Sequence, residues 1–419
     1  MSVSVTRLSD GLTVVTDEMP WMGSVSLGAW VGVGARHEPA HLNGVSHLLE
    51  HMAFKGTERR SARTIAEEIE AVGGSINAYT SRETTAFYAK VLKDDAPLAA
   101  DIIGDILQHS TLDAAELDRE RHVVVQEINQ ANDTPDDIVF DLFQQAAYPD
   151  QPLGRPVLGT AEIVRNLSRE AIRGFMVAGY TAPHVVVSAA GGIAHADTLR
   201  LVERHFRDLP AARVPEPGPA AYAGGHFREE RDLEQVHLVV GFEGVPYRDP
   251  DFHAMAALAA LYGGGMSSRL FQEVREARGL AYSIYAYAAS YADTGMLALY
   301  AGTGPGDVPE MVEVVAAETA KLPATLTAAE IERAKAQLRA STVMSMESTS
   351  SRCEQRARQM MIFGRPLETG EILDDIAAVD LDSVRRAAER VLATPVTTAA
   401  IGPLSGLESD ADLAARFRF

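Results

Sequence analysis

The chain has 419 residues, 46% hydrophobic and 23% charged, with a formal net charge of −20 and a single cysteine, Cys353. That length is more than one ordinary core can use and calls for two or more domains, and the balance of apolar and charged residues excludes disordered and collagen-like chains. The acidic field disfavours nucleic acid and anionic membranes, no apolar run reaches the roughly 18–20 residues of a spanning helix, and a lone cysteine rules out an internal disulfide, which fits a reducing compartment.

The N-terminus, "MSVSVTRLSDGLTVVTDE", reads as two short strands around an Asp10-Gly11 turn. It has no basic region followed by an apolar one, so neither a secretory signal nor a transit peptide is expected, and the expected location is cytoplasmic. Segment 24–56, "SVSLGAWVGVGARHEPAHLNGVSHLLEHMAFKG", predicts a strand, a turn and an apolar helix. Within that helix His47 and His51 are four apart and share one face, so both imidazoles can reach one ion at about 2.0–2.1 Å. Glu50 sits beside the same face, where it can take a proton from a water at the ion and later hand it to a leaving amine. The order His-x-x-Glu-His inverts the more familiar His-Glu-x-x-His and is a zinc-peptidase pattern. Five residues alone fit a helix with satisfied polar groups equally well.

Residues 73–107, "GGSINAYTSRETTAFYAKVLKDDAPLAADIIGDIL", predict two alternating strands and a helix. The stretch "DAAELDRERHVVVQEINQANDTP" (113–135) predicts a helix that ends at Pro135. A catalytic zinc wants three protein ligands and one open position, so a third ligand should come from this half. Glu116, Glu120 and Glu127 fall near one stripe of the helix. Glu127 is chosen because it follows Val123–Val125 and is the carboxylate most embedded in apolar sequence, although a Glu on a charged helix is more often solvated. Glu120 could orient a ligating histidine from behind. His122 faces elsewhere and reads as structural.

Around 208–226 the composition turns to Pro, Gly and Ala, as in a linker. Beyond it the order repeats. "QVHLVVGFEGVPYRDPDFHAMAALAALYGGGMSSRLF" (235–271) is again a strand and an apolar helix, and "LAYSIYAYAASYADTGMLALYAGTGPGDVPEMVEVV" is again two strands and a helix. An internal duplication follows: domain 1–212, linker 213–228 and domain 229–419, each α+β, an antiparallel sheet covered by helices. The helix that matches 44–56, "AMAALAALYGGG", has no His or Glu. The scaffold does not need them, which argues that the first half carries them for chemistry.

These motifs resemble the pitrilysin-type inverted zinc peptidases, above all the small bacterial members akin to the mitochondrial processing peptidase β subunit. The matching residues are "GVSHLLEHMAFKGT", "GGSINAYTSRETTAFYAKV", "ERHVVVQEI", "YPDQPLGRPVLGT" and "LYGGGMSSRLFQEVREARGLAYSIYAY". In that family the third ligand stands about 75 residues after the second His, the place of Glu127, with a supporting Glu at the place of Glu120. The resemblance implies one Zn2+ per chain and a zinc-dependent endopeptidase acting on peptides or unfolded segments. It further implies two similar domains that form half of a clamshell around a closed chamber, completed by a homodimer. Substrate would add as a strand to the edge "SINAYT", nearest Asn77 and Ala78. Arg275 and Tyr282, seven apart, would hold it near the metal. The net charge adds an expectation of basic peptides. The alternative is a non-catalytic subunit of a processing-peptidase-like heterodimer.

Overall fold

The computed structural model describes residues 3–212, 214 and 217–418. The chain divides into two compact units that cut across the sequence halves. Unit 1 gathers the chain up to Asn129, Arg155–Gly218 and Met344–Leu367; unit 2 gathers Gln130–Gly154, Pro219–Val343 and Glu368 onward.

Unit 1 is built on six strands: β1 (Val3–Arg7), β2 (Thr13–Glu18), β3 (Ser24–Val31), β4 (Ser75–Thr80), β5 (Thr85–Leu92) and β6 (Val185–Gly191). Their order is β1-β2-β6-β3-β5-β4, antiparallel except for the parallel pair β2–β6. Unit 2 carries β7 (Gly225–Glu230), β8 (Val236–Glu243), β9 (Ala281–Ser290), β10 (Gly295–Thr303) and β11 (Thr397–Gly402), ordered β7-β11-β8-β10-β9 with one parallel pair, β7–β11. Without β1, the first sheet has the connectivity of the second. The duplication expected from sequence is therefore repeated in the topology.

Each sheet is covered on both faces, and period-2 alternation sorts the residues. In unit 1, Leu27, Ala29, Val31 and Phe87 pack against Leu48, Leu49 and Met52 of helix Val45–Ala53 and against helix Ala96–His109. The opposite face, with Val15, Trp30 and Val186, is covered by Cys353, Ala357 and Met360 of helix Thr349–Phe363. That helix is also anchored by charge: buried Asp17 accepts from Arg352 Nη1 at 2.9 and 3.0 Å and from Arg356 Nε at 2.9 Å. In unit 2, Val240 and Leu299 pack on helices Phe252–Gly263, Val308–Thr325 and Leu381–Leu392. Its other face, with Val239, Ala298 and Ile401, is covered by Val139 and Phe143 of helix Pro135–Ala147. Each half of the sequence thus lends one helix to the sheet of the other.

Three boundaries differ in detail from the sequence reading. The helix expected to end at Pro135 ends at Asn132, and Pro135 opens the next helix, where a missing N–H costs nothing. The stretch 326–361, whose sequence reads as helix throughout, is two helices, Ala328–Ser345 and Thr349–Phe363, and the break moves the chain from unit 2 into unit 1. Strand β7 begins at Gly225, inside the expected linker 213–228, because it pairs with β11 from Gly225↔Thr397 onward. Residues 213, 215 and 216 of that linker lie outside the described residues.

Candidate metal centre

The helix Val45–Ala53 is fixed before any chemistry is added. Gly44 starts it at φ +95°, where a Cβ would meet the Leu158 carbonyl at 2.7 Å. The first turn's free N–H groups are met by the buried Glu38 carboxylate: Oε2 accepts from Gly44 N and Oε1 from Ser46 N, both at 2.8 Å, while Asn43 Nδ2 donates to Oε2 at 2.9 Å. Burial pushes the Glu38 carboxyl up, against these hydrogen bonds. Val45, Leu48, Leu49 and Met52 face the core, which leaves His47, Glu50 and His51 on the flank.

Helix Ala114–Asn132 brings Glu127 to that flank. One ligand atom each from His47, His51 and Glu127 lie within 4.8 Å of one another. Glu127 Oε2 is 3.6 Å from His47 Nε2 and 3.5 Å from His51 Nε2, too long for good hydrogen bonds. Two donors each about 2.1 Å from a tetrahedral ion would stand roughly 3.4 Å apart, so these separations suit a shared zinc. The tautomer of His51 is set as well. Its Nδ1 lies 3.0 Å from Glu120 Oε2 and donates to it, which leaves the Nε2 lone pair aimed at Glu127. Glu120 is itself held by Lys55, Nζ to Oε1 at 2.7 Å. Burial, with His51 adding, lowers His47 to about 4, so the imidazole is neutral near pH 7, as a metal ligand must be. The donor set, two imidazoles, one of them with its ring oriented by Glu120, and one carboxylate, fits zinc.

Glu50 lies beside this cluster. Its Oε2 accepts from Thr80 Oγ1 at 2.6 Å. Burial raises its pKa, and nearby Glu127 adds to the rise, against the Thr80 bond and His51. Asn77 and Ala78 sit on β4, the edge of the sheet, which pairs only with β5 among the described residues. The N–H of Ala78 is taken by Asn77 Oδ1 at 2.8 Å.

Arg275 and Tyr282 belong to unit 2, where they hold each other. Arg275 Nη1 donates to the Tyr282 carbonyl at 2.7 Å, and its guanidinium stacks 4.6 Å from the Tyr282 ring and 4.8 Å from that of Phe271. Tyr282 is 75% exposed, so its hydroxyl is open to solvent or ligand. His122 points its Nδ1 at the Asp118 carbonyl, 2.7 Å away, and takes no part in the cluster. Cys353 is buried in the sheet contact, its thiol pushed up to about 12 by that burial.

Three residues of the site escaped the sequence reading: Glu38, Lys55 and Thr80. Lys55 follows His51 by four, in the turn just past the motif helix, and that spacing was the available signal. Glu38 and Thr80 act from a loop and a strand, where local periodicity carries no sign of the partner.

Comparison with known proteins finds two family models along the chain. Residues 13–161 match the family model described as insulinase (peptidase family M16), and 166–338 match that of the M16 inactive domain. An uncharacterized zinc protease of Bacillus subtilis is 38% identical over 402 residues, covering 96% of this chain and 98% of its own. One from Streptomyces coelicolor is 40% identical over 413 residues, covering 96% of this chain and 90% of its own. Among solved structures, a protease from Helicobacter pylori superimposes with a TM-score of 0.89 at 21% identity, over 96% of this chain and 99% of that one, a likeness of fold alone.

Proposed function

We propose a chemistry that proceeds from one premise: the chain belongs to the insulinase family, peptidase family M16. The family is one of zinc peptidases, and we read this member as a zinc-dependent endopeptidase that cuts peptides or unfolded segments. The observation that carries the reading is the convergence of His47, His51 and Glu127, with the Glu50 carboxyl close enough to feel the charge of His51 and Glu127.

Zinc bound there would polarise the scissile carbonyl and make water a nucleophile at neutral pH. His47 and His51 would hold it through Nε2 and Glu127 through a carboxylate oxygen, with Glu120 keeping the His51 ring in place. Glu50, its carboxyl raised by burial, takes the proton from the attacking water and delivers it to the leaving amine. The open edge of β4 accepts the substrate as an added strand, with Asn77 and Ala78 nearest the cleaved bond. Arg275 and Tyr282 are assigned to the substrate carbonyl and the developing oxyanion. We further propose a two-fold homodimer that encloses a chamber, a preference for basic or unfolded chains, one zinc per chain and a cytoplasmic location.

The purified protein should contain about one zinc per chain and cut a quenched peptide, and Glu50→Gln should keep the metal while turnover drops on the order of 10²–10⁴-fold. Wild-type turnover in Glu50→Gln would remove the general-base assignment. A zinc-loaded wild type that cuts nothing in a peptide library would favour the non-catalytic subunit instead. Light scattering should give the mass of two chains, and an active monomer would defeat the assembly.

A further inference from the structure

Thr80 ends β4 and serves two partners. Its backbone pairs inward, Thr80↔Thr85, in the strand whose other edge is open among the described residues. Its hydroxyl crosses to helix Val45–Ala53 and donates to Glu50 Oε2 at 2.6 Å. Short O–H···O⁻ bonds of this kind belong to the stronger class. The bond fixes the rotation of the carboxyl group and so sets where both its oxygens face.

The alternation along β4 makes this connection directional. Ile76 and Ala78 pack on the same core as Leu48, Leu49 and Met52, so they share a face with Thr80 and the motif helix. Tyr79 faces the other way, its hydroxyl donating to Glu354 at 3.1 Å. An edge strand is tied on one side only and is a looser part of a sheet. A peptide laid along it would supply the second ladder and hold the strand, and with it Thr80.

We propose that Thr80 is a positioning residue through which a peptide docked on β4 fixes the Glu50 carboxylate for proton transfer, an inference that rests on the peptidase reading above. Contacts to substrate residues remote from the cleaved bond then appear in kcat rather than in KM. Misplacing a catalytic group by about 1 Å can cost on the order of 10²-fold in rate, which sets the scale of the effect.

Thr80→Val keeps the branched shape and strand preference but removes the donor, whereas Thr80→Ser keeps the donor. Zinc content should be unchanged in both. Thr80→Val should lose about 10–100-fold in kcat with KM within about twofold, and Thr80→Ser should retain most of the rate. In the wild type kcat should rise as peptides lengthen to span Ser75–Thr80, and in Thr80→Val that rise should flatten. Normal kcat in Thr80→Val, equal loss in Thr80→Ser, or an unchanged length dependence would each overturn the proposal. If the wild type cut no peptide, the peptidase reading would fall by itself. Crystals of the zinc-loaded variants would still decide the positioning: Glu50 should leave its place in Thr80→Val and keep it in Thr80→Ser, and an unmoved Glu50 in both would overturn it.

Discussion

Glu120 stands between two donors, the Lys55 ammonium at 2.7 Å and the His51 ring Nδ1 at 3.0 Å, on a side chain only 6% exposed. Gln at this position keeps an acceptor for His51 but places neutral amide chemistry opposite Lys55, so the ring is held less firmly. Glu120→Gln should weaken zinc binding by about 10–100-fold, read by competition with a chelator. His47→Ala, His51→Ala and Glu127→Ala should each lose most of the metal outright, and full retention in Glu127→Ala would move the third ligand, with Glu120 the next candidate. At this scale the sequence was most readable where chemistry and helical spacing coincide. His47, Glu50 and His51 announce themselves in five residues. Glu127 needed its embedding after three valines and the family spacing. Thr80 did not stand out, because a threonine at a strand end is ordinary and its meaning lies in a carboxylate 30 positions earlier.

The motif helix depends on a carboxylate that is not part of it. Glu38 meets two backbone N–H groups of the first turn, and Glu38→Ala would leave them buried without an acceptor. The expected loss is about 1–3 kcal/mol, seen as a lower denaturant midpoint with unchanged slope. A second element is fastened by a charge pair. Arg269 grips Glu330 with Nε at 2.6 Å and Nη2 at 2.9 Å, and Thr327 N donates to the same carboxylate at 2.9 Å. Burial pushes this carboxyl up, but the bonds from Arg269 and Thr327 prevail and hold it at about 2. A carboxyl lower in the folded state stabilises fully above its unfolded value near 4.5, and that stability fades as pH falls towards 2. Glu330→Gln should therefore be less stable than wild type at pH 6, and the gap should narrow through the acid range in unfolding titrations. Strands and helices themselves were legible from periods of 2 and 3.6. The sheet each helix covers was not, since an amphipathic face records only that something apolar lies opposite. Nothing in the sequence of helices Pro135–Ala147 and Thr349–Phe363 marks that each covers the sheet of the other half.

Across the whole molecule the charge of −20 would draw basic peptides before any contact forms. A surface of one sign concentrates the other, so Arg-rich peptides should be cut faster than matched Glu-rich ones at low salt. The advantage should shrink as ionic strength passes roughly 0.15 M, where the screening length is about 8 Å. An acidic peptide cut as fast as its basic twin at low salt would sink the claim. The exchanged helices have a consequence in time rather than in space. Strand β6 completes the first sheet at Gly191, but the helix that seals its far face begins at Thr349. At about 5–20 residues per second, the ribosome needs on the order of ten seconds or more to make the stretch between them. Throughout that interval Val15, Trp30 and Val186 have no cover, and Asp17 waits for its two arginines. The nascent chain should therefore engage holding chaperones at mid-synthesis, and chains stalled before residue 349 should be captured by them far more than chains extended far enough past residue 363 for the helix to have left the ribosome.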